Sequence, residues 1–133
     1  LRADEVNLRA GPGVRYPVEW VFVRRDWPVE VIAEFDNWRK IRDAEGTEGW
    51  VHSSMLSGQR TVVVLGARTD PPKVLRRTDQ DDAAAVARVQ PGVIATLRRC
   101  PEGSNYCQVD VRNMKGWLKR AGIWGVHRNE YFE

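Results

Sequence analysis

Cys100 and Cys107 are the residues whose type and spacing most directly imply chemistry. The residues between them, Pro-Glu-Gly-Ser-Asn-Tyr, have the turn-rich composition of a loop joining two antiparallel strands. Cysteines facing each other across the mouth of such a loop come within disulfide range. A bridge closing so short a loop stabilises by about 2–3 kcal/mol in the chain-entropy picture, and it would place the protein in an oxidising compartment. The alternative is two unrelated thiols. Zinc is disfavoured, because neither His52 nor His127 stands at a ligand spacing from the cysteine pair. A lone histidine directly after a strand, as His52 is, reads as a surface or capping residue. No HExxH, GxSxG or Walker motif is present. The expectation is therefore a protein that is not an enzyme and carries no cofactor and no metal.

The second group able to do chemistry is aromatic: six Trp and three Tyr in 133 residues. Flat rings either fill cores or stack on extended ligands. Which they do depends on the elements that hold them. Phe35 to Leu56 reads FDNWRKIRDAEGTEGWVHSSML. Trp38 opens an alternating run, Asp43 to Thr47 is a polar turn containing Gly46, and Gly49-Trp50-Val51 follows, together a β-hairpin. The pattern recurs more loosely from Leu97 to Ile123, with Tyr106 in place of Trp38, a turn over Arg112 to Lys115, and Gly116-Trp117-Leu118 in place of Gly49-Trp50-Val51. Leu8 and Trp50 are 42 residues apart, as are Leu75 and Trp117. Equal spacing of matching types marks an internal repeat.

The repeat divides the chain into units of 1–60 and 61–133, with a short proline-stiffened junction near 68–72. Units of this size bury only about 60% of their unfolded surface. They are expected to pack together or to need a staple. Val6 to Gly13 reads as a short strand ending in a Gly-Pro-Gly turn, and further short strands are predicted over Val18 to Val23, Val29 to Phe35, Trp38 to Arg42 and Gly49 to His52. Ser53 to Met55 suits a single 3₁₀ turn. Thr61 to Leu65 is too apolar for a free linker and reads as a strand on one unit or between them. Lys73 to Arg76, Ala85 to Val89 and Val93 to Arg98 open the second unit. The tail from His127 is expected to be partly ordered, with Tyr131 and Phe132 able to dock.

Net charge is +3. Residues 1–60 hold 9 Lys/Arg against 10 Asp/Glu, and 61–133 hold 12 against 8. The second unit is mildly basic, without a dense cluster or a recognition-helix pattern, which argues against nucleic acid as a partner. Arg76, Arg77, Arg98 and Arg99 are the best case for it, and they serve equally to keep sheet edges soluble. No apolar run is long enough to span a membrane. The chain opens Leu1-Arg2-Ala3-Asp4-Glu5 without an initiator Met or a hydrophobic leader, as expected where a targeting segment has been removed.

VNLRAGPG, Trp38-Arg39-Lys40-Ile41 and Gly49-Trp50-Val51-His52-Ser53-Ser54 resemble the bacterial SH3 (SH3b) family over nearly the whole first unit. Val74-Leu75-Arg76, Pro91-Gly92-Val93, Tyr106-Cys107-Gln108-Val109 and Gly116-Trp117-Leu118 resemble it in the second, where the Gly-Pro-Gly turn is missing. The resemblance implies an all-β chain of two tandem SH3-like small β-barrels packed together. It also implies an aromatic ligand groove: Tyr16, Trp38 and Trp50 with Asn7 and Arg9 nearby in the first unit, and Tyr106 and Trp117 in the second. The same aromatics read equally as packing residues, Trp117 more readily so. The expected function is a non-catalytic, periplasmic or otherwise extracytoplasmic module for a cell-wall polymer, peptide or glycan, or for an extended segment of a partner protein. The alternative is a structural adaptor that holds a partner protein or forms a homodimer.

Overall fold

β-branched and aromatic residues are concentrated in short runs between the turns of the first fifty positions, and such runs build strands. In the computed structural model, which describes Leu1–Glu133, the chain divides into two units, Leu1–Gly58 and Gln59–Glu133. The first unit contains β1 (Val6–Arg9), β2 (Val18–Phe22), β3 (Glu30–Phe35), β4 (Trp38–Arg42) and β5 (Glu48–His52), antiparallel in the order β2-β1-β5-β4-β3. Its core is Leu1, Val6, Leu8, Ile41 and Val51. The 3₁₀ turn at Ser53–Met55 forms as the sequence predicts. Asp43 is the one buried charged residue. Its carboxylate accepts from the Glu45 and Thr47 amides at 3.0 and 2.9 Å and from Trp27 Nε1 at 3.2 Å. These bonds close the β4–β5 hairpin and satisfy a charge that would otherwise be costly to bury.

The second unit contains β6 (Thr61–Val64), β7 (Lys73–Arg76), β8 (Ala85–Val89), β9 (Ile94–Arg99), β10 (Tyr106–Val111), β11 (Met114–Lys119) and β12 (Ile123–Trp124). Their order is β12-β6-β9-β10-β11-β7-β8. Strands β7–β11 repeat β1–β5 in register. Ile41 faces Gly49 and Trp38 faces His52 in one unit, where Val109 faces Gly116 and Tyr106 faces Lys119 in the other. The correspondence extends to the loops. Val64 exchanges backbone bonds with Val93 and Gly92 at 2.9 and 2.8 Å, and Leu1 does the same with Trp27 and Asp26 at 3.0 Å each. Thr61–Val64, ambiguous in sequence, thus belongs to the second unit's sheet.

The expectation of barrels needs correction. Neither sheet closes into a barrel. In the first unit β2 and β3 are edges, each hydrogen-bonded to a single neighbour. In the second, β6 and β12 add onto the β9 edge and extend the sheet in place of closing it.

In the tail Phe132 docks, as the sequence allowed, while Tyr131 stays exposed. Phe132 pairs with Cys100 through two backbone bonds, N–H to O at 3.1 Å and the reverse at 2.5 Å, and its ring packs on the core beneath the Arg60 guanidinium. Arg60 in turn pairs with the Glu130 carboxylate, and that bond above all holds Glu130 below its ordinary value of 4.5, against some opposition from burial. A depressed carboxyl contributes stability that is present above its unfolded value and lost as pH falls through the folded one. The tail should therefore detach as pH falls below the ordinary carboxyl range, before the sheet unfolds, and Arg60→Gln should move that onset to higher pH in a pH-resolved NMR series.

Candidate functional site

Alternation along β1, β4 and β5 sends Leu8, Ile41 and Val51 into the first unit's core and Asn7, Arg9, Trp38 and Trp50 to the opposite face. The ladder brings these together: Arg9 lies across from Trp50, Trp50 across from Lys40, and Trp38 across from His52. Trp38 and Trp50 are half-buried and lie outside the core cluster. The Trp38 and His52 rings meet edge-on, 5.5 Å apart at 85°. His52 is a cap, as its position suggested, with Nδ1 accepting from the Ser54 amide at 3.1 Å. Arg9 Nη1 donates to the Val14 and Tyr16 carbonyls at 3.1 and 2.9 Å, fixing the loop after β1 against this face. The Tyr16 ring lies so close over Gly11 that a Cβ there would stand 2.5 Å from it. The Gly-Pro-Gly run is the room that Tyr16 requires.

The second unit repeats the plan with different side chains. Arg76 Nη1 donates to Ala83 O at 2.9 Å, pinning the 77–84 loop as Arg9 pins its own. Tyr106 occupies the place of Trp38 and is 3% exposed. Its hydroxyl donates to Asp81 Oδ1 at 2.5 Å, and Lys119 Nζ stands 3.9 Å from the same oxygen. The Tyr106 hydroxyl first, then Lys119, hold the Asp81 carboxyl below its ordinary range. Burial first, then the bond to Asp81, raises the Tyr106 phenol. Beside this cluster opens a cleft of about 220 Å³ floored by Val74 and Leu118 and rimmed by Pro72, Lys73, Arg76 and Lys119. A wider cleft of about 810 Å³, lined by Asp81, Ser104, Lys119 and Arg128 among others, adjoins it at Lys119.

Trp117 keeps the ladder position of Trp50 but is more buried. It lies across from Arg76 and Gln108, is 7% exposed, and is covered by the Arg99 guanidinium at 5.2 Å from the ring centre. Sequence reasoning missed Lys73, Asp81 and Lys119, which come from strand ends and a loop far apart in the chain. The one available signal was the pairing of Lys119 with His52 in the repeat. Cys100 and Cys107, both fully buried, form the disulfide with Cα atoms 4.3 Å apart. Trp20 and Phe35, on the edge strands, are 57% and 62% exposed.

The family description "Bacterial SH3 domain" matches residues 2–58 and again 70–125. Among curated proteins, "Putative N-acetylmuramoyl-L-alanine amidase YrvJ" of Bacillus subtilis (strain 168) is 25% identical over 120 residues, which is 90% of this chain and 22% of that protein. The chain thus spans about a fifth of its relative's length.

Proposed function

From the premise that this chain belongs to the bacterial SH3 domain family, with one copy in each unit, we propose that it is a non-catalytic, extracytoplasmic module that binds cell-wall peptide or glycan. The observation that carries this reading is the first unit's outer face. There Trp38 and Trp50 lie half-buried outside the core, and Trp50 stands across the ladder from Arg9, which pins the loop after its strand. Such a face offers an extended ligand both stacking and polar anchoring. The relative's name supplies the ligand class, the muramoyl-peptide junction, while its catalytic activity belongs to a protein of which this chain matches a minor part. The buried disulfide suits an oxidising compartment, and no helix is long and apolar enough to cross a membrane. His52 spends Nδ1 on its cap, which favours binding over catalysis.

The test is a titration of the full chain with purified peptidoglycan sacculi, followed by Trp emission and pulldown. Saturable binding with an emission shift is expected. Trp38→Ala, with an unchanged far-UV spectrum, should weaken it about tenfold, the loss of one stacking contact. Absence of saturable binding overturns the reading.

A second reading has its own observation. β2 and β3 are hydrogen-bonded on one side only and expose Trp20, Val21, Val31 and Phe35. Apolar edges of this kind accept a partner strand, as an adaptor or homodimer would. Concentration-dependent growth in light scattering, together with failure to bind sacculi, would select it.

A further inference from the structure

We propose that the second unit's cleft captures the free C-terminal carboxylate of an extended peptide, and that the Asp81 side chain occupies the carboxylate's place until the peptide arrives. The proposal rests on the reading of this face as a binding face and names the group it recognises.

The internal repeat supplies the first argument. Where the first unit has Val6, Arg9 and His52, the second has Lys73, Arg76 and Lys119. Two cations have been added around one small cleft that Val74 and Leu118 line with apolar surface. Cations of one sign converging on a cavity select an anion. The apolar floor selects a side chain over a hydroxylated sugar. A volume of about 220 Å³ suits a terminal residue better than an internal stretch of polymer. Capture of a terminal carboxylate is an established way of reading peptides.

The second argument is Asp81. It is an exposed residue of the 77–84 loop, yet its carboxylate takes a short bond from Tyr106 and lies near Lys119. Those two groups and Arg76 are what an incoming carboxylate would use. Asp81 therefore stands in for the ligand, and a loop that holds an exposed side chain in this way can release it at little cost. Asp81 itself lies on the neighbouring wider cleft, which joins the small one at Lys119. Of that wider cleft's cations, Arg120 is already committed to the Ser104, Pro101 and Glu130 carbonyls at 2.8, 2.9 and 2.5 Å.

The experiment is an NMR titration of the isotope-labelled full chain with N-acetyl-alanyl-alanine and, separately, with its C-terminal amide. The acid should perturb the amides of Lys73, Arg76, Tyr106 and Lys119 and bind about tenfold more tightly than the amide. Lys119→Gln should erase that preference, and Lys73→Gln serves as an independent reading should Lys119→Gln disturb the fold. Asp81→Asn, which leaves a weaker internal competitor, should tighten binding of the acid. Equal binding of acid and amide, perturbation confined to other residues, or no binding of the acid each overturns the proposal. Sacculus binding through Trp38 alongside equal affinity for acid and amide would leave the general reading standing and remove this one. Preference for the acid in a chain that ignores sacculi would do the reverse.

Discussion

Gly116→Val destabilises the second unit by about 3 kcal/mol, the upper range for overpacking a core, read as a lowered urea midpoint with an unchanged slope. A Cβ at Gly116 would stand 2.4 Å from Leu75 Cγ and 2.7 Å from Cδ1. Leu75 is fully buried in the centre of the core and has no room to withdraw. Gly49 and Leu8 form the same lock in the first unit, with 2.8 Å from a Cβ to Leu8 Cβ. The glycine of each Gly-Trp pair is thus the floor on which the leucine of the opening strand lies. The contact is also separable. Leu75→Ala alone costs about 2–5 kcal/mol through its cavity. Combined with Gly116→Val it should cost distinctly less than the two together, since the added methyls enter the space the leucine vacates. Strict additivity in that double-mutant cycle would show that the two residues do not bear on each other.

Reduction of Cys100–Cys107 should lower the second unit's stability by about 2–3 kcal/mol, the loop-closure entropy restored to the unfolded chain. The two sulfurs close a separation of seven residues. Cys100 also carries the backbone pairing that docks Phe132. Loss of the bridge should accordingly loosen the tail as well as the loop, visible as a lower thermal midpoint in reductant and faster proteolysis near Tyr131. Arg120 braces the same loop by bonds to Ser104 O and Pro101 O. An unchanged midpoint on reduction, restored to sensitivity by Arg120→Ala, would assign the loop's order to the guanidinium instead.

Most of the scaffold was legible because it rests on local signals. Period-two alternation marked the strands, the turns over Asp43 to Thr47 and Arg112 to Lys115 marked hairpins, the second tightening in the structure to the positive-φ pair Arg112 and Asn113, and equal Leu-to-Trp spacing marked the duplication. The disulfide was legible from a turn-rich loop. Sheet closure was not, because whether β2 meets β3 depends on curvature that no residue pattern states. The docking of Phe132 was allowed for, but the Arg60–Glu130 pair that secures the tail was not legible, because its partners are 70 residues apart. The first unit's proposed groove residues, Asn7, Arg9, Trp38 and Trp50, do share a face, which follows from alternation and register. The second unit's cleft depends on Lys73, Lys119 and Asp81, and only three-dimensional placement shows that they meet.

One feature of β11 reaches beyond this fold. Its alternate positions belong to two different histories: Gly116 and Leu118 turn inward and match Gly49 and Val51, while Lys115 and Lys119 turn outward and replace Glu48 and His52. Between the two copies the inward set stays apolar, Val51 giving way to Leu118, while the outward set keeps its Trp and exchanges an acid and an imidazole for two lysines. A strand read every second residue is thus two texts interleaved, one that holds the fold and one that faces outward, and the second can reverse its charge without disturbing the first.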